Sequence, residues 1–206
     1  MDNENNFLKS GGAIQSFYSG NNKHLPIIDA GIGVYLYDTD GKKYLDASSG
    51  PVTCNIGHGN RHVLEAMQKQ ANKVCFASYN FFENAPNRHL AKNLISATQL
   101  KFDQAFIVSG GSEAIEASLK LARQYAVYKG RPGKWKILAR NPSYHGSTLG
   151  AFGASGDPEA ETIFGPIAQI FPKVPTPFSY RIPANHDNKS FSRYCAALLE
   201  KTILEE

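Results

Sequence analysis

Gly110, Gly111 and Ser112 stand where the apolar run at 104–108 stops and a helical periodicity begins. A glycine pair at a strand-to-helix junction lets backbone N–H groups approach a ligand closely, and the unpaired N–H groups and helix dipole there favour an anion. Ser112 adds a hydroxyl donor, so phosphate is the guest these residue types suit. The same residues also serve a plainer purpose, turning the chain and capping the helix, with Glu113 and Glu116 suiting its positive first turns. The pattern is neither GxxxxGK[ST] nor GxGxxG. A second cluster, SYHG at 143–146, follows the next expected strand. In a parallel sheet both loops emerge at the carboxyl edge, where ligands of open α/β sheets bind. Tyr144 can stack on a flat heteroaromatic ring, and His145 can hydrogen-bond or exchange a proton. Read alone, Tyr144 is equally a packing residue and His145 an ordinary loop histidine. Read together, the two clusters describe a site for a phosphorylated aromatic cofactor.

Several elements must position these residues. GVYLYDTDGKKYLDASSG (33–50) alternates as strands do on both sides of the Asp40-Gly41 turn pair, which predicts a hairpin. A helix over 60–74 follows, capped by Asn60, with Val63, Met67 and Val74 on one face. Another begins at Pro86, with Leu90, Leu94 and Ile95 turned inward. Residues 104–108 read as a buried strand, 112–129 as a helix ending near Gly130, 136–140 as a strand, and 167–171 as a further strand. A short helix is expected from about Ser147. The segment 172–183 carries Pro172, Pro175, Pro177 and Pro183 and reads as a loop without regular structure. Phe191, Tyr194, Leu198 and Leu199 mark a last helix over 190–204.

Strands alternating with helices predict an α/β fold, a mostly parallel sheet covered by helices on both faces. A small N-terminal hairpin subdomain over 1–58 would precede the larger domain over 59–206. A parallel sheet needs a strand after its last crossover helix, so the expectation is a chain that is unfinished.

The 206 residues are 42% hydrophobic and 19% charged, an ordinary globular composition that excludes disordered and fibrous classes. The net charge of +4 comes from 22 basic and 18 acidic residues, scattered without a basic block, which argues against a nucleic-acid partner. Cys54, Cys75 and Cys195 are odd in number and lack metal-ligand spacing. A reducing cytoplasm fits them best. The N-terminus lacks the basic and apolar regions of a signal peptide, and no run reaches membrane-spanning length.

GVYLYDTDGKKYLDASSG, NIGHG (55–59), FIVSGGSEAIEASLKLAR and SYHG, in that order, resemble the amino-terminal part of class III aminotransferases, pyridoxal-phosphate enzymes of fold type I. The resemblance runs from about Gly33 through the final helix. It implies that Gly111 and Ser112 bind the cofactor phosphate, that Gly110 permits the turn, and that Tyr144 stacks on the pyridine ring with His145 beside it. Residues 49–53 match a segment lining the substrate pocket near the dimer interface, and Val52 falls where some members carry a large aromatic side chain. A buried strand-end valine is the plainer reading of Val52. The resemblance further implies amino-donor and 2-oxo-acid substrates and a homodimer.

In the family, the lysine that links to the cofactor aldehyde and the aspartate facing the pyridine nitrogen come further along the chain. Neither motif occurs in these residues, so no catalytic residue is assigned, and the chain alone is expected to be inactive. Two other readings stay open: a non-catalytic phosphate-binding or dimerisation module, and an aminomutase on the same scaffold.

Overall fold

The computed structural model describes residues 25–99 and 102–206. Two compact units divide the chain, Met1–Asn84 and Ala85–Glu206.

In the first unit, β1 (Ile28–Ile32), β2 (Tyr35–Asp38) and β3 (Lys43–Leu45) form an antiparallel sheet in that order. The expected hairpin is β2–β3, pairing Tyr35 with Leu45 and Tyr37 with Lys43 around the Asp40-Gly41 turn. Asp38 holds that turn together. Its Oδ1 accepts the N–H groups of Asp40 (3.0 Å) and Lys42 (2.8 Å), and its Oδ2 accepts the Tyr44 hydroxyl at 2.6 Å. That hydroxyl, aided by the two backbone donors, lowers the Asp38 pKa, and the same bond raises that of Tyr44. The strand β1 lay outside the hairpin pattern.

Residues 49–52 make a kinked turn, with φ of 52° at Ser49 and 61° at both Gly50 and Val52. A β-branched residue at positive φ is an outlier, and backbone strain of this kind concentrates where function over-determines the chain. Next comes α1 (Arg61–Ala71), capped as expected: the Asn60 side chain accepts from Val63 N at 3.3 Å.

The second unit begins with α2 (Ala85–Ala97), which carries Pro86 in its first turn. Leu90 and Leu94, expected inward, remain 45% and 43% exposed. The long helix α3 (Gly111–Tyr128) ends in paired capping bonds, Gly130 N to Val127 O and Arg131 N to Ala126 O, both 2.9 Å. Then follow β4 (Ala139–Asn141), α4 (Leu149–Ala154), α5 (Pro158–Phe164), β5 (Lys173–Pro175) and α6 (Asn188–Glu205). A capping box at Asp187 and Ser190 starts α6. Ala139, Val174, Ala151, Phe152, Phe191 and Cys195 are buried and form the core of this unit.

β4 and β5 run parallel among helices, so the α/β class is as expected, but three strand positions differ. Residues 104–108 pair with no strand among the described residues, and Phe106 stays 73% exposed. Apolar character alone does not make a strand, because the ladder requires a neighbouring backbone. The expected strand 136–140 narrows to Ala139–Asn141. Its partner is Lys173–Pro175, not 167–171, which follows the 3-10 turn Gly165–Ile167 without forming a strand. The segment 172–183 therefore contains a strand despite its prolines. Pro172 needs no N–H there, since its carbonyl accepts Ala139 N at 3.0 Å, and Pro175 stands at the strand's last position.

Candidate functional site

The site is built at the start of α3. Gly110 is extended, and its carbonyl accepts Ala114 N at 3.1 Å, the first bond of the helix. The N–H groups of Gly111, Ser112 and Glu113 thus have no intrahelical acceptor, and Gly111 is exposed. Negative charge gathers at this end: Glu113 folds back so that its Oε2 lies 2.7 Å from where a Gly110 Cβ would be.

The second loop is fastened to the first. Ser147 N donates to Ser112 Oγ at 2.9 Å, which leaves the Ser112 hydroxyl hydrogen free to point elsewhere. Gly146 lies directly against Ser112. A Cβ at position 146 would stand 2.6 Å from Ser112 Oγ and 2.9 Å from Ala151 Cβ, and φ of 141° disfavours any other residue.

Tyr144 presents its ring to solvent at 77% exposure, while its hydroxyl shares a hydrogen bond with Ser147 Oγ at 3.1 Å. His145 is half-buried, its N–H donating to Ser155 Oγ at 2.8 Å. Ser143 and Gly156 close the loop base with two backbone bonds of 3.2 and 2.9 Å. The structure therefore brings Ser112 and the loop carrying Tyr144 and His145 together, although more than thirty residues separate them in sequence.

A further clamp joins α3 to α4. Glu116 Oε1 accepts the Thr148 hydroxyl at 2.7 Å and the N–H groups of Gly150 at 3.1 Å and Ala151 at 3.3 Å. The Thr148 hydroxyl, followed by these backbone donors, lowers the Glu116 pKa against the opposing effect of burial. Sequence reasoning assigned Glu116 to its own helix's first turns. It instead caps a helix more than thirty residues away, and only the glutamate's position one turn after Ser112 hinted at a link.

Val52 belongs to the first unit, is 69% exposed and takes φ of 61°, so it is not a buried strand-end valine. A cleft of about 1000 Å³ lies along the second half of α3, lined by Leu119, Arg123, Trp135 and Phe171 among others, and includes none of Gly110, Gly111, Ser112, Tyr144 or His145. No group of metal ligands occurs among the described residues.

The helix start thus carries N–H groups without intrahelical acceptors and the Ser112 hydroxyl, and the adjoining loop carries the exposed ring of Tyr144. The aminotransferase class-III family matches residues 17–205. The chain belongs to the class III aminotransferases.

Among relatives, the uncharacterized aminotransferase YodT of Bacillus subtilis is 42% identical over 164 residues, 80% of this chain and 36% of its own length. The probable aminotransferase Rv3329 of Mycobacterium tuberculosis is 35% identical over 178 residues, 86% of this chain and 38% of its own. The omega transaminase of Pseudomonas jessenii, solved in complex with PMP, superposes with a TM-score of 0.87 at 28% identity, over 94% of this chain and 44% of that one. This class III aminotransferase chain thus spans less than half the length of these relatives. The family is pyridoxal-phosphate-dependent.

Proposed function

We propose that this chain serves a pyridoxal-phosphate aminotransferase that moves an amino group between an amino acid or amine and a 2-oxo acid. The observation that carries the reading is the Ser147 N to Ser112 Oγ bond of 2.9 Å, which joins the glycine loop to the loop bearing Tyr144. When bound, the cofactor supplies an electron sink for bond breaking at the amine-bearing carbon.

This chain's own residues bind and orient. The N–H groups of Gly111 and Ser112, with the Ser112 hydroxyl, hold the phosphate oxygens, and Gly110 permits the turn. Tyr144, steadied through Ser147, covers one face of the pyridine ring, with His145 beside it. Val52 borders the substrate pocket, a role its strained, exposed backbone supports. The residues divide functionally into an N-terminal segment, 1–58, and part of the cofactor-binding domain, 59–206.

No lysine among the described residues is assigned the link to the cofactor aldehyde. Lys173, the natural suspect by burial, is committed to Glu161 at 2.9 Å and to the carbonyl of Phe171 at 3.2 Å. By itself the chain is inactive.

The native protein is a cytoplasmic homodimer. Exposed Phe76, Tyr79, Phe81 and Phe82 support the dimer, being 81%, 80%, 80% and 65% accessible. Three free cysteines support the compartment. No helix among the described residues is long and apolar enough to cross a membrane.

Titration of the native protein with pyridoxal phosphate, followed by absorbance, tests the reading. Ser112→Ala weakens binding about tenfold, about 1.4 kcal/mol, while sedimentation of the same sample gives twice the protomer mass. A native protein that binds no pyridoxal phosphate, or binds it equally well without Ser112, overturns the assignment. A product that keeps the amino group on the substrate's own carbon skeleton points to an aminomutase.

A further inference from the structure

Cys54, His58 and Asp46, none of them given a role in the cofactor site, form a hydrogen-bonded chain in the first unit. Cys54 Sγ lies 3.2 Å from His58 Nδ1, and His58 Nε2 lies 2.8 Å from Asp46 Oδ2. The other Asp46 oxygen accepts Ser49 N at 2.9 Å, which fixes the carboxylate's orientation.

The imidazole is held as firmly. His58 N donates to Gly33 O at 2.7 Å, and His58 O accepts Gly33 N at 3.0 Å. Its ring rests where Gly31 lacks a side chain, since a Cβ at position 31 would stand 2.8 Å from both His58 Cβ and Cγ.

These contacts assign the tautomer. A carboxylate offers only acceptors, so His58 carries its hydrogen on Nε2 and directs it to Asp46. Nδ1 of the neutral ring is then an acceptor facing the thiol. A nucleophile within reach of a base, with the base oriented by a third group, is the arrangement that activates serine and cysteine nucleophiles. Cys54 is half-buried, between the exposed Cys75 and the buried Cys195.

We infer that Cys54 is an activated nucleophile and a covalent-modification site for small, soft electrophiles. In the reaction with an alkyl iodide the sulfur attacks carbon, the S–C bond forms, the C–I bond breaks, and iodide leaves with the bonding pair. The thiol proton passes to His58 Nδ1, and Asp46 stabilises the resulting imidazolium. The inference does not depend on the aminotransferase reading.

The chain carries its own references: Cys75 is exposed, with its thiol on Ala71 O at 3.4 Å, and Cys195 is buried. The native protein is treated with limiting iodoacetamide at pH 7, and alkylation of each cysteine is followed over time by peptide mass mapping. An unassisted thiol is only a few per cent thiolate at that pH, so Cys54 reacts at least about tenfold faster than the more exposed Cys75. His58→Gln brings the Cys54 rate to or below that of Cys75, and Asp46→Asn lowers it partway, with Cys195 still protected as proof of folding. Rates that follow exposure in the native protein, or a Cys54 rate unchanged by His58→Gln in a folded variant, overturn the inference. If a variant unfolds and Cys195 becomes reactive, the ratio of Cys54 to Cys75 in the native protein decides alone.

Discussion

Removing the Glu116 carboxylate is the sharpest test of how the two halves of the site are kept together. Its Oε1 carries three hydrogen bonds, to Thr148 Oγ1, Gly150 N and Ala151 N. The two backbone donors belong to the first turn of α4, so their loss equals the loss of a helix cap, about 1 kcal/mol. The Thr148 hydroxyl bonds to a charged acceptor, worth about 1.5 kcal/mol at the low end of its class. Because the carboxylate is half-buried, water takes over part of the work, and Glu116→Ala is expected to cost about 2 kcal/mol. Glu116→Gln keeps an acceptor oxygen without the charge and costs about 1 kcal/mol.

Denaturant unfolding of the native protein and its variants measures the stability term. A double-mutant cycle with Thr148→Val isolates the side-chain pair, with a coupling near 1 kcal/mol expected. Pyridoxal-phosphate affinity, read in parallel, falls about tenfold in Glu116→Ala because Thr148 and the start of α4, which follow the Tyr144 loop, lose their clamp to α3. The pH dependence has a definite sign. Glu116 titrates below the ordinary glutamate value, so its stabilisation is complete above about pH 4.3 and fades as the pH falls through the depressed pKa. A Glu116→Ala variant that loses less than about 0.5 kcal/mol and binds pyridoxal phosphate unchanged would refute the clamp.

Gly146→Ala places a methyl group 2.6 Å from Ser112 Oγ at φ of 141°, so pyridoxal-phosphate affinity drops at least about tenfold; an unchanged titration curve contradicts this. Asp38→Asn keeps an acceptor oxygen but removes the negative charge that strengthens the bond raising the Tyr44 pKa, and the phenol then titrates closer to its ordinary range in ultraviolet difference spectra. In the unaltered hairpin, the Asp38 contribution is lost as pH falls through its lowered pKa. The Tyr44 contribution is lost as pH rises through its raised one. Tyrosine titration indifferent to Asp38→Asn sinks the prediction.

Local features were legible in the sequence because their physics is local. Asn60 caps α1 with a bond to a residue three positions on, and Asp40-Gly41 turns the β2–β3 hairpin. Gly110, Gly111 and Ser112 open α3 at the junction where the apolar run gives way to helical periodicity. Each depends on a few neighbouring residues, whose types and spacing suffice to identify it. The ordered motifs around them likewise pointed to the family.

Pairing and burial were not legible in the same way. The strand at Lys173–Pro175 forms in a proline-rich segment because β4 offers it a register in which the missing N–H groups are not needed. Residues 104–108 have the composition of a strand and no partner among the described residues. Glu116 reached Thr148, and His58 reached Asp46, only once the backbone had folded each pair to within 2.8 Å. Sequence by itself determined which residues could hold an anion, stack on a ring or turn the chain. Tertiary structure alone decided which of them meet, because a hydrogen bond depends on distances below about 3.5 Å that spacing along the chain does not set.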